Sequence, residues 1–203
     1  MSVTVSFNGY LSNKKELEAL FGKASDADYV KFAYEKSGEQ LHALLQGMFG
    51  AVITDSDKKK TLCIRDRFGN ESVYYTTGRD GLPIFGLSIR EILSSGRCEK
   101  QVNPQALELF LTYSYLPGKD TFFKGIHKLM PGHILVFENN EMKFTRYWKP
   151  ELLNDRSLSM KEYADQINTV LNDLIEDWKQ PGEKFGNFLS GVAADVRLLK
   201  IFE

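Results

Sequence analysis

Cysteine is scarce in this chain: Cys63 and Cys98 are the only two, and their spacing fits neither a zinc site nor a disulfide framework. They read as free thiols, and no metal centre is expected. Long apolar runs are missing too. Nothing approaches the roughly 18 residues of a membrane-spanning helix, and Met1-Ser2-Val3-Thr4 lacks the basic start and apolar stretch of a secretory signal. A cytoplasmic location is the expectation. An excess of one charge is also absent, since 26 Lys and Arg against 27 Asp and Glu leave a formal net charge of -1. No long-range field therefore points to nucleic acid or to an anionic membrane. The three histidines, His42, His127 and His133, stand isolated and read as structural.

What is present is a core. Apolar residues make up 42% of the 203 positions and aromatics 12%, against 26% charged, a balance that folds rather than staying disordered. At roughly 100–200 residues per domain, the length fits one domain and part of another.

The chain opens with alternation from Val3 to Phe7 into Asn8-Gly9, the signature of a strand. Asn13 with Glu16 forms a capping-box pattern before Leu17, Leu20 and Phe21, and Ser25-Asp26 caps a second helix carrying Tyr29, Val30, Ala33 and Tyr34. Leu41, Leu44 and Leu45 suggest a further helical turn. From Met48 the period changes to short strands broken by turn residues: Met48 to Thr54, Thr61 to Asp66, Val73 to Thr76 and Pro83 to Leu87. Asn103-Pro104 starts a helix whose buried stripe is expected to be Leu107, Phe110 and Leu111. A hairpin follows, His133 to Phe137 and Met142 to Trp148 around Asn139-Asn140. After a polar linker, Met160 to Trp178 reads as one long amphipathic helix, and Phe185 to Leu189 as a strand leading through Ser190-Gly191 into a final helix.

Several segments in fixed order resemble one family, the glutamine-dependent asparagine synthetases with their β-lactam synthetase and lasso-peptide cyclase relatives. They are Phe7-Asn8-Gly9, Gly47-Met48-Phe49, Ile64-Arg65-Asp66-Arg67-Phe68-Gly69 with Tyr74-Tyr75, Thr121 to Ile126, Lys128-Leu129 with Pro131-Gly132-His133, and Arg146-Tyr147-Trp148. The resemblance implies an α+β fold in two modules. Residues 1–150 would be a class II glutamine amidotransferase domain, with Ntn-hydrolase-like antiparallel sheets flanked by helices but without its N-terminal part. Residues 151–203 would be a linker, a long helix and the first strand-loop-helix of an α/β synthetase domain.

The same resemblance makes Asn8 and Gly9 a vestigial oxyanion hole, and Asp26 the group that holds the glutamine α-amino end. Read from the residues alone, Asn8-Gly9 is equally a tight turn after a strand. The family nucleophile is a cysteine exposed after Met removal; here Ser2 follows Met1, too close to Asn8 to take that part, so no catalytic residue is assigned. Tyr10 stands where active members carry Glu, and Leu87-Ser88 replace a Ser-Glu pair. The triplet Arg65-Asp66-Arg67 reads as a structural salt-bridge turn rather than a reactive cluster. Ser190, Gly191 and Asp195 match the synthetase nucleotide loop in part, but Val192-Ala193-Ala194 replaces its second glycine, which leaves an ordinary strand-to-helix turn as the simpler reading.

Two functions follow as expectations. One is the family reaction, ATP-dependent transfer of glutamine amide nitrogen to aspartate to form asparagine. This chain would not perform it alone, and ATP and magnesium would be required only by a complete member. The other is a non-catalytic scaffold or binding domain. In either case the exposed sheet edge of an incomplete domain leads us to expect self-association or a companion synthetase chain.

Overall fold

The sheet that organises the protein begins with β1 (Val3–Leu11), whose alternation separates two environments. Val3, Val5, Phe7 and Leu11 join the main core, whereas Thr4, Ser6 and Asn8 on the opposite face are exposed. The computed structural model describes residues 3–151 and 157–178 and divides the chain into two units, Met1–Pro150 and Glu151–Glu203.

In the first unit, α1 (Lys14–Phe21) and α2 (Asp26–Ser37) follow β1, and a short 3-10 helix over Gly38–Ala43 supplies the turn suggested by Leu41. Ser25 caps α2 by accepting the Asp28 backbone N–H at 3.2 Å. These helices lay Leu17, Tyr29, Val30, Ala33 and Leu41 on one face of a five-stranded antiparallel sheet, against Ala51, Ile53, Leu62 and Ile64. Its remaining strands are β2 (Gly47–Asp55), β3 (Lys60–Arg65), β7 (His133–Glu138) and β8 (Glu141–Arg146), in the order β1-β2-β3-β7-β8. Asn139 and Asn140 turn the β7–β8 hairpin with φ of 51° and 62°, the left-handed pair that a two-residue loop of this kind requires.

A second antiparallel sheet, ordered β5-β4-β6, consists of β4 (Tyr74–Thr77), β5 (Pro83–Gly86) and β6 (His127–Lys128). Cys63 and Leu135 of the first sheet meet Val73, Leu129, Tyr75 and Phe85 between the two sheets. On the outer side Ile84, Ile126 and Tyr74 pack with Ile92 of α3 (Ile89–Ser94). The layers run helix, sheet, sheet, helix. This is an α+β arrangement of antiparallel sheets flanked by helices, as the sequence resemblance implies.

Four expectations change. Asn8-Gly9 is not a turn, because β1 pairs with β2 straight through it, Asn8 opposite Gly50 and Gly9 opposite Phe49. Asn13 bonds no N–H of the first turn of α1. Its amide donates to Leu44 O at 3.0 Å and to Glu16, and its Oδ1 accepts from Gln46 N, so the residue ties the helix to the following loop. In α4 (Pro104–Tyr113) the expected buried stripe faces outward: Leu107, Phe110 and Leu111 are exposed, and only Ala106 is buried. Phe110 finds an edge-on partner in Phe122. At Arg65-Asp66-Arg67, Arg65 and Asp66 bond backbone groups in place of the expected salt-bridge turn. Sequence reading also passed over α3, although Ser88 and Glu91 mark its start with a capping-box spacing.

In the second unit α5 (Met160–Trp178) forms as one helix, with Ile167, Val170 and Leu174 exposed. Among the described residues, no helix is long and apolar enough to cross a membrane. The strand expected at Phe185 to Leu189, the helix after it, and Ser190, Gly191 and Asp195 all lie outside the described residues.

Candidate functional site

Three residues in one row of the first sheet build the site. Asn8 lies opposite Gly50, and Gly50 lies opposite Arg65, so all three present the same face. Gly50 has no side chain, and the segment Glu71–Val73 crosses the sheet above it. A Cβ there would meet Val73 Cγ2 at 2.9 Å and Ser72 O at 3.2 Å. Beyond the crossing, the Glu71 carboxylate accepts a hydrogen bond from the Asn8 side-chain amide at 2.5 Å.

Gly9 is fitted to the same neighbour. It holds φ of 102°, open to glycine and strained for other residues, and a Cβ on it would run into Met48 O and lie 2.9 Å from Glu71 Cγ. Both members of the Asn8-Gly9 pair are exposed.

What fixes Glu71 is the pair Arg65 and Asp66, in the triplet expected to form a salt-bridge turn. Arg65 spends its guanidinium on backbone carbonyls instead: Nε donates to Glu71 O at 2.6 Å, Nη1 to Leu129 O at 2.7 Å and Nη2 to Gly69 O at 2.5 Å. Asp66, also buried, accepts the backbone N–H groups of Phe68, Gly69 and Glu71 at 3.0, 2.8 and 3.1 Å. The two charges bind the loop rather than each other, and the loop in turn delivers Glu71. Tyr147 completes the clamp by donating to Arg65 O at 2.7 Å, with His42 stacked on its ring. Burial, first, and the Arg67 charge both lower the pKa of His42.

Asp26 sits at the start of α2, accepts Leu11 N–H at 2.9 Å and pairs with Lys14 at 3.1 Å. Its carboxylate therefore meets β1 three residues beyond Asn8, roughly 10 Å along the strand. Tyr10 is half-buried, and that burial raises its pKa. Ser88 accepts Glu91 N–H at 3.2 Å while the Glu91 carboxylate accepts Leu87 N–H at 2.8 Å, so Leu87-Ser88 now serve to begin a helix. Neither thiol adjoins Asn8. Cys63 is sealed between the sheets, where burial pushes its pKa up, and Cys98 donates to Ile92 O beside α3. His133 bonds Pro131 O through Nδ1 at 2.8 Å, and His127 bonds Asp120 at 3.0 Å.

Glu71 is the site residue that sequence reading missed. It lies 63 positions from Asn8, in a stretch legible only as turn residues, and no local pattern links the two.

The sequence that builds these layers matches a family model described as a glutamine amidotransferase domain, over residues 1–148. The chain belongs to that family, and within it to the asparagine-synthetase-like branch. It is 31% identical over 207 residues to a Bacillus subtilis protein named asparagine synthetase [glutamine-hydrolyzing] 2, covering 94% of this chain and 28% of the relative. A second B. subtilis relative, asparagine synthetase [glutamine-hydrolyzing] 3, is 31% identical over 93% of this chain and 32% of its own length. The chain thus spans about three tenths of these curated relatives. Among solved structures, a B. subtilis glutamine phosphoribosylpyrophosphate amidotransferase aligns with a TM-score of 0.45 and 15% identity, over 73% of this chain and 30% of that one.

Proposed function

We propose that residues 1–150 act as a non-hydrolysing amidotransferase-type domain, a binding or assembly module of an asparagine-synthetase-like protein. One observation carries this reading: the Asn8 amide is engaged by the Glu71 carboxylate. An oxyanion hole works by aiming unengaged donors at developing negative charge. Here a negative group already takes one of the two N–H donors of the Asn8 amide, and a second anion brought beside it would be repelled. The sealed position of Cys63 and the helix-starting role of Leu87-Ser88 agree with it.

On this reading Asn8, Gly9 and Asp26 keep the family positions without the family chemistry. ATP-dependent transfer of glutamine nitrogen to aspartate, which the resemblance implies for complete members, would fall to other parts of a larger assembly. Among the described residues the outer edge of β1 pairs with no strand, so a second copy or a companion chain is the partner that this module would take. The test is ammonia release from L-glutamine by the purified protein. No turnover above the uncatalysed rate is expected. Sustained glutamine hydrolysis that is lost in Asn8→Ala would overturn the proposal.

A further inference from the structure

Where Tyr75 of β4 and Lys128 of β6 meet His133 of β7 and Phe144 of β8, a recess of about 250 Å³ opens, lined also by Lys119, Leu129 and Met130. Its two sides differ in chemistry. Tyr75 and Phe144 form an aromatic wall, with ring centroids 5.3 Å apart and planes tilted by 55°, and Leu129 and Met130 extend the apolar surface. The other side is cationic. Lys128 N–H donates to Lys119 O at 2.7 Å, which draws the two lysines to the same rim.

Among the described residues neither cation has an ion-pair partner. Lys128 Nζ donates to Leu116 O at 3.1 Å and retains two further N–H donors. Among the described residues, no carboxylate comes within ion-pair distance of Lys119 or Lys128; Asp120, next to Lys119 in the chain, pairs with His127. Burial and then the Arg65 charge disfavour the Lys128 ammonium, while Asp120 favours it. His133 adds a polar edge: Pro131 O can only accept, so Nδ1 carries the proton that bonds it.

We propose that this recess binds a small carboxylate with a flat, apolar body. The carboxylate would take the free donors of Lys128 and the Lys119 ammonium as charge-assisted hydrogen bonds, and the body would lie against Tyr75 and Phe144. A volume below the usual range of about 300–1,000 Å³ for ligand pockets restricts the ligand to a compact one. The site is separate from Asn8–Glu71 and does not depend on the reading of that pair.

Benzoate is the probe, titrated into the full chain and followed by amide resonances, with benzyl alcohol, benzylamine and orthophosphate as comparisons. Saturable shifts centred on Lys128 to Met130 and His133 are expected with benzoate, and about tenfold weaker binding with benzyl alcohol. Lys128→Met should weaken benzoate about tenfold, while Lys128→Arg stays within a few-fold. Equal binding of benzoate and benzyl alcohol would overturn the cationic half of the proposal. Orthophosphate binding without benzoate binding would overturn the apolar half. Absence of saturation by benzoate in the unsubstituted protein would overturn it whole, whatever the variants do.

Discussion

The side-chain amide of Asn8 donates to the carboxylate of Glu71, 63 positions later, at 2.5 Å. The contact depends on a sequence of physical steps, none of them local to Asn8. Gly50 leaves room above β2, Arg65 and Asp66 hold the loop that crosses there, and the loop presents its one acidic side chain to the exposed strand. One N–H of the exposed Asn8 amide is thereby committed to an acceptor within the chain.

Replacing Glu71 by Ala should release the Asn8 amide without unfolding the protein. Both partners border solvent, so the stability change is expected within about 1 kcal/mol. The Asn8 side-chain NH2 resonances should move by far more than those of other asparagines. If they keep their positions in Glu71→Ala, the pair does not form in solution, and the non-hydrolysing proposal loses its support.

Arg65→Met is expected to be much more damaging. It removes charged donors from the carbonyls of Glu71, Gly69 and Leu129, in a site where the guanidinium is almost fully buried. Hydrogen bonds to charged groups contribute about 1.5–3 kcal/mol each, and the abandoned carbonyls add their own desolvation cost. A loss of about 3 kcal/mol or more in urea unfolding is expected. A loss under about 1 kcal/mol would show that the carbonyls are satisfied by water and that the clamp is not what holds Glu71.

The layers were legible in the sequence because burial there follows period. Val3, Val5 and Phe7 alternate, Tyr29, Val30, Ala33 and Tyr34 share a helical face, and each finds the core that its spacing demands. Where period and environment part company, the reading failed. Leu107, Phe110 and Leu111 have helical spacing but no covering layer, since amphipathicity specifies a face and not its partner. Arg65, Asp66 and Arg67 suggested mutual pairing because opposite charges stood in line. The strand ends at Arg65, and Arg65 and Asp66 each bond backbone groups of the loop that follows rather than one another. Glu71 was beyond reach for a related reason: its role depends on a glycine in another strand.

Acid should unfasten a second buried carboxylate, Asp55, which accepts the Tyr34 O–H at 3.0 Å and the Lys58 backbone N–H at 3.1 Å and pairs with the Lys58 ammonium at 3.1 Å. Burial pushes its pKa up, but the Lys58 and Tyr34 hydrogen bonds together with the Lys58 charge outweigh it and hold the group below its ordinary value of 3.8. A carboxyl whose pKa is lower in the folded state contributes its full stability above the unfolded value, and that contribution declines as pH falls through the folded one. Tyr34→Phe removes one of the bonds that favour the ionised form, so its folded pKa should lie closer to 3.8. The variant is expected to be less stable than the parent at neutral pH, with the gap narrowing once the pH drops below 3.8. Urea midpoints measured from pH 7 down to about 2.5 check this, because a gap that stays constant with pH would mean that Tyr34 contributes packing alone and leaves the ionisation of Asp55 untouched.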